Sequence, residues 1–226
     1  MVRVLLTSFW SLISSKGDKV IDNPYYQAFQ ALDHNGFFTK EQSRTDLVRY
    51  YSWAIPSDEV ICHLATRHKA IVEIGAGTGY WASLLKKAGA QVMPFDAHKP
   101  SDGHNPYNHR VEWESIYEGG PEVLHKISPS MSLLLCWPPY DNPMGADCLK
   151  AFKGSRVIYI GEDKWGCTGN EEMHDILADD YKITCVSAIP RWLGIYDAVY
   201  EYQRVRKSTG HIDLPYNRKH CVRMKI

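Results

Sequence analysis

The stretch at 71–85, IVEIGAGTGYWASLL, limits what this chain can fold into more than any other. It opens on a short apolar run, Ile71, Val72, Glu73 and Ile74, long enough for one buried strand. Gly75, Gly77 and Gly79 follow at alternate positions, and Trp81, Leu84, Leu85 and Ala88 then recur at the i, i+3, i+4, i+7 spacing of one helix face. Glycine permits a sharp turn and lets another group approach the backbone closely. A helix that starts straight after the turn offers free N–H groups and the positive end of its dipole. Strand, glycine turn and helix together predict a nucleotide-binding βα unit. The dinucleotide fingerprint G-x-G-x-x-G needs its last glycine where this chain has Tyr80, which argues against a nicotinamide cofactor.

A second strand is expected at 91–95, ending at Asp96, about twenty residues past the glycines, where a carboxylate is suited to accept both ribose hydroxyls. The run from Glu73 to Gly79 resembles motif I of the S-adenosylmethionine-dependent methyltransferases, (D/E)-x-G-x-G-x-G, with Glu73 at the acidic position. The resemblance implies S-adenosyl-L-methionine as cofactor, held by Glu73, Gly75, Ala76, Gly77, Gly79, Tyr80 and Trp81, and by Asp96 and Ala97. In that family an aromatic segment before the first strand often covers the methionine end of the cofactor. Tyr51 and Trp53 stand there; a hydrophobic staple between helices is the other reading of the same residues. Residues just past the third strand, expected at 111–113, commonly flank the adenine, which points to Ser115 and Ile116, with Glu114 beside them.

Along the chain, Asn23 and Pro24 read as the cap and first residue of a helix, ended by His34-Asn35-Gly36. A second helix is expected over 39–52. Pro56 then forces Ile55 extended, and Ser57 can cap a third helix with Val60, Ile61 and Leu64 inward. Further expectations are a short helix at 121–127, a buried parallel strand at 131–136, a helix around Ala146 and Leu149, and a strand at 156–160. Asn170 is expected to cap another helix, and two last strands at 183–189 and 198–204 are joined through 190–197. The pattern is a Rossmann-like α/β methyltransferase fold: a mostly parallel seven-stranded sheet, helices on both faces, an antiparallel last strand and an N-terminal helical cap. Residues 1–68 are expected as an N-terminal segment and cap or lid, 69–206 as the cofactor-binding core, and 207–226 as a basic tail.

A second motif lies at the end of the fourth strand. Trp137-Pro138-Pro139-Tyr140 resembles the (D/N/S)-P-P-(Y/F/W) motif of amino-methyltransferases. Two prolines stiffen the loop and leave carbonyls to accept hydrogen bonds from an amine, while the aromatic ring stacks on a planar substrate. The first position departs from the pattern: Trp137 has an indole, a donor only. Catalytic candidates are therefore Trp137, Pro138, Tyr140, Asp141 and Glu162, with the carbonyl of Cys136 or Trp137 as an amine acceptor and His109 as a further candidate base; Cys136 also counts among the cofactor-binding residues that the resemblance implies. A rigid pocket-lining loop without chemistry on an amine is the other reading.

Composition bounds the acceptor. Formal net charge is zero, so nothing overall draws the chain to nucleic acid or to anionic membrane. No metal-ligand spacing occurs among the six cysteines, which read as reduced and mostly packed in a cytoplasmic protein. The opening MVRVLLTSFWSLISS superficially resembles a signal peptide but lacks a clear cleavage site, and is expected to pack on the domain. The expected activity is methyl transfer to a nitrogen or oxygen of a small-molecule acceptor. The alternatives are an amino-methyltransferase on nucleic acid or protein, which would dock through the basic tail, and a non-catalytic cofactor-binding module.

Overall fold

The protein is described by a computed structural model over residues 21–32, 37–103 and 105–205, with backbone alone for 37–42. The opening segment, the expected helix stop at 34–36 and the whole basic tail at 207–226 lie outside those residues. The N-terminal part contains α1 (Pro24–Gln30), α2 (Phe37–Tyr50) and α3 (Asp58–Arg67). The side chain of Asn23 accepts from the N–H of Tyr26 and that of Ser57 from Val60, so both expected caps are made.

The sheet comprises β1 (Ala70–Ile74), β2 (Gln91–Asp96), β3 (Tyr117–Glu118), β4 (Ser132–Cys136), β5 (Arg156–Gly161), β6 (Tyr181–Ala188) and β7 (Ala198–Arg204). Between strands run α4 (Tyr80–Lys87), α5 (Met144–Ala151) and α6 (Glu171–Asp180), with short 3₁₀ turns at Pro100–Asp102 and Pro121–Lys126. Strand order is β3-β2-β1-β4-β5-β7-β6. The pairs from β3 to β5 are parallel, and β7 runs antiparallel to both its neighbours. This is the mixed α/β sheet expected from the sequence.

Alternation along the strands divides the core between the two faces. Ile71, Leu134, Ile158 and Val199 point to one face and pack with α3 and α4 through Ile61, Leu64, Trp81 and Leu84. Val72, Leu133, Leu135 and Val157 point to the other and pack with α5 and α6 through Leu149 and Met173. Tyr25 of α1, fully buried, belongs to the first face, so α1 is built into the same core as the sheet.

Two expectations are corrected. The third strand is Tyr117–Glu118, not 111–113, because the Trp113 N–H donates to Thr78 O and its indole to Tyr50 O, drawing that segment off the sheet edge. Among the described cysteines Cys62 and Cys167 are exposed, so packing is less general than expected; all five described are free thiols.

At the β6–β7 edge, buried Glu201 gathers three basic groups from α3 and its cap. His63 Nε2 lies 2.6 Å from Oε1, while Arg67 Nε and His68 Nε2 lie 2.9 and 2.7 Å from Oε2. Against the opposing effect of burial, the hydrogen bonds of His68, His63 and Arg67 hold the Glu201 carboxyl well below the usual range. That contribution is present above the unfolded carboxyl pKa near 4.5 and fades as pH falls toward the folded value. Glu201→Gln is expected to cost about 2 kcal/mol at neutral pH, the low side of a broken buried pair because Arg67 is half-exposed. It should also weaken the acid dependence of stability; urea denaturation at pH 7 and pH 4 checks both.

Candidate active site

The glycine turn is a cradle of left-handed backbone. Gly75, Gly77 and Gly79 have φ of 75°, 56° and 72°, a region that side chains with a Cβ rarely adopt. The N–H groups of Gly75 and Ala76 both donate to Phe95 O, at 2.9 and 3.0 Å, which folds the turn over the end of β2. The Gly77 N–H then donates to Asp96 Oδ2 and the His98 N–H to Asp96 Oδ1, each at 2.8 Å. Burial raises the Asp96 carboxyl despite those two donors. A carboxylate has lone pairs to spare beyond two bonds, so Asp96 can still accept from a diol. Ala97, next in line, is exposed.

Polar groups at this end of the sheet are buried without partners. Glu73 is 1% exposed and its Oε2 has no hydrogen bond. Burial, with Asp96 adding to it, pushes its carboxyl up to about 8, so at neutral pH it carries a proton it can donate. Both ring nitrogens of buried His109 are likewise unpartnered, and burial lowers its pKa to about 4. His109 is therefore neutral at pH 7 and a feeble base. Its ring lies over the open face of Gly77, where an added Cβ would meet Cε1 at 2.7 Å. Met144 covers Gly75, and Glu114 and Ile116 cover Gly79. Ser115, between them, is exposed, and its N–H donates to Glu114 Oε1.

An aromatic stack ties the N-terminal helices to this cradle. Tyr51 lies between Tyr25 and Trp113, with ring centroids at 4.9 and 5.3 Å, and Tyr80 meets all three edge-on. Thr78 Oγ1 donates to Tyr51 O and the Tyr80 hydroxyl donates to Asn23 Oδ1. Tyr51 is half-buried, so it can present an edge to a ligand; Tyr80 and Trp81 are each 1% exposed and belong to the packed core.

The opposite wall is the W-P-P-Y loop. Trp137 has φ 51°, its N–H donates to Ile160 O, and its indole stacks on Trp53 at 5.1 Å and 13°. The indole N–H donates to Asp197 Oδ2 at 2.9 Å. The Pro138 carbonyl accepts from the Gly169 N–H, and Asp141, also at positive φ, donates its N–H to Gly169 O. Tyr140 is 69% exposed, on a groove of about 740 Å³ with Glu162, Trp165 and Tyr196. Burial, with Glu73 and Asp197 beside it, pushes the Cys136 thiol well up.

Glu162 is already engaged: Oε2 accepts from the Cys167 N–H and Oε1 from the Tyr196 N–H. Against burial, those bonds hold its carboxyl below the usual range, which suits a loop tie and not a proton acceptor. The sequence reading missed Asp197, Trp113 and Tyr25. The available signal for Asp197 was the donor-only Trp137 at a motif position that calls for an acceptor.

The raised carboxyl of Glu73 has a thermodynamic sign. Between the unfolded value near 4.5 and the folded value near 8, the folded chain holds the extra proton, so this group's contribution to stability falls as pH rises. Glu73→Gln is expected to flatten the decline of Tm between pH 5 and pH 8, a trend scanning calorimetry reads directly.

No protein-family model matches the sequence, and no curated protein matches it. Among solved structures, the chain is similar to magnesium protoporphyrin IX methyltransferase from Synechocystis with bound SAM, at 14% identity over 85% of this chain and 99% of that one, TM-score 0.46. It is also similar to TrmK from M. capricolum in complex with S-adenosyl-homocysteine, at 16% identity over 65% and 67% of the two chains, TM-score 0.42. A third is an rRNA methylase from Streptococcus thermophilus, at 11% identity over 66% and 94%, TM-score 0.41.

Proposed function

We propose that the chain binds S-adenosyl-L-methionine in the glycine cradle and transfers a methyl group to a nitrogen or oxygen of a small-molecule acceptor. One observation carries the reading: the buried Glu73 carboxyl, with Oε2 unpartnered, stands two residues before the first of three left-handed glycines, whose turn is closed onto Asp96. An apolar site leaves no such group orphaned, because a buried polar atom without a partner costs about 1–3 kcal/mol. A polar ligand over the turn relieves that cost.

In this reading Asp96 accepts the ribose hydroxyls, and Gly75 to Gly79 admit the ligand to the backbone. Tyr51 and Trp53 wall the methionine end. Ile116 borders the adenine beside Gly79, and His109 turns a ring nitrogen to the ligand from above Gly77. The cofactor supplies a methyl group on a sulfonium, already a good leaving group, so the chain's task is alignment and exclusion of water.

Local charge favours a small acceptor over nucleic acid. The surface beyond Asp141 is lined by Glu171, Glu172, Asp175 and Asp179, a field that repels phosphates.

Calorimetric titration with S-adenosylmethionine and S-adenosylhomocysteine, with NADH as control, tests the reading. Both adenosyl ligands are expected to bind and NADH to give no heat. Asp96→Ala should weaken binding at least tenfold, since two charge-assisted hydrogen bonds are lost. A protein that binds neither adenosyl ligand would sink the proposal.

A further inference from the structure

Trp137 stands where the amine-recognising motif carries an acceptor, and an indole cannot accept a hydrogen bond. It instead donates from Nε1 to Asp197 Oδ2 at 2.9 Å, reaching a residue on another loop. Asp197 is 2% exposed and its second oxygen, Oδ1, is buried with no hydrogen-bond partner. Its backbone position is fixed as well: the Arg191 Nε–H donates to Asp197 O at 2.8 Å. Asp197 directly precedes β7, whose first residue, Ala198, pairs with Gly161 at the carboxyl end of β5. It therefore lies at the rim where β4 and β5 end, as the W-P-P-Y loop does. We propose that Asp197, positioned by Trp137, is the carboxylate that receives the acceptor, and that the acceptor is an amine. The inference rests on the methyltransferase reading above.

The chemistry fits an amine better than an alcohol. The acceptor arrives as an ammonium and gives one proton to Asp197 Oδ1, which frees the lone pair for attack. The lone pair forms the new carbon–nitrogen bond as the carbon–sulfur bond of the sulfonium breaks, sulfur keeping that electron pair. The methylated nitrogen leaves as an ammonium, and Asp197 returns its proton to solvent. Burial pushes the Asp197 carboxyl up to about 6, opposed by the Trp137 hydrogen bond and Arg191 and aided by Glu162, which leaves it ionised at pH 7.5 and close enough to neutrality to take a proton. The other titratable groups facing it are Tyr25, Cys136 and Tyr200, all raised by burial and neutral there. The exposed rings of Tyr140, Trp165 and Tyr196, at 69%, 88% and 71%, suit a planar group on the acceptor.

The test uses the full chain, labelled S-adenosylmethionine and matched pairs of arylalkyl amines and alcohols, such as tryptamine against tryptophol and phenethylamine against phenethyl alcohol. Label is expected in amines and not in the matched alcohols. Asp197→Asn preserves the acceptor for the indole, so the fold and S-adenosylhomocysteine affinity should hold within about twofold while kcat/KM drops about 100-fold, mainly in kcat. Trp137→Phe should lower kcat about tenfold and shift the acid limb of the pH profile, which a packing role alone would not move. Labelled alcohols, no labelled amine from a protein that binds the cofactor, or an Asp197→Asn variant within threefold of the parent would each overturn the assignment. Absence of cofactor binding, read separately by calorimetry, would overturn the underlying function instead.

Discussion

Two backbone N–H groups, those of Gly75 and Ala76, converge on a single oxygen, the carbonyl of Phe95. That bifurcated hook sets the geometry of everything above the sheet. It bends the chain out of β1 across the end of β2, and so brings Gly77 within reach of Asp96. The bend strongly favours residues without a Cβ, and the three glycines take its left-handed positions. Once the turn is closed, α4 starts at Tyr80 with its N-terminus beside the turn, and Thr78 is placed to reach Tyr51. The aromatic stack and the strap at 109–116 are assembled on that scaffold.

Charge is arranged differently at the two ends of the sheet. Around Glu201 a buried carboxylate is matched by three basic groups, and both its oxygens are hydrogen-bonded. At the carboxyl ends of the strands, Glu73, His109 and Asp197 are buried with atoms left unpartnered. In the proposed reading a ligand completes those atoms, since buried polar groups are ordinarily hydrogen-bonded.

Much of the fold was legible because its signals are local. The apolar run at 71–74, the alternate glycines and the helical spacing after them specify β1, the turn and α4 from adjacent residues. The third strand was misplaced because Val111, Glu112 and Trp113 look like a strand by composition, whereas the paired residues, Tyr117 and Glu118, are too few to show a period. The acceptor wall was legible only in part. Pro138 and Glu162 read as free acceptors, yet their oxygens are taken by the N–H groups of Gly169, Cys167 and Tyr196, pairings that no spacing reveals. Asp197 meets Trp137 across 60 residues, a contact made by topology alone.

Glu162 has a mechanical consequence. By holding Cys167 with one oxygen and Tyr196 with the other, it splices the loop after β5 to the loop before β7. The loops on the two sides of the groove beside Tyr140 are thereby tied to each other through one side chain. In the proposed reading that groove selects its guests as a gauge does, by admitting one thickness, and not by a jaw that closes on whatever enters.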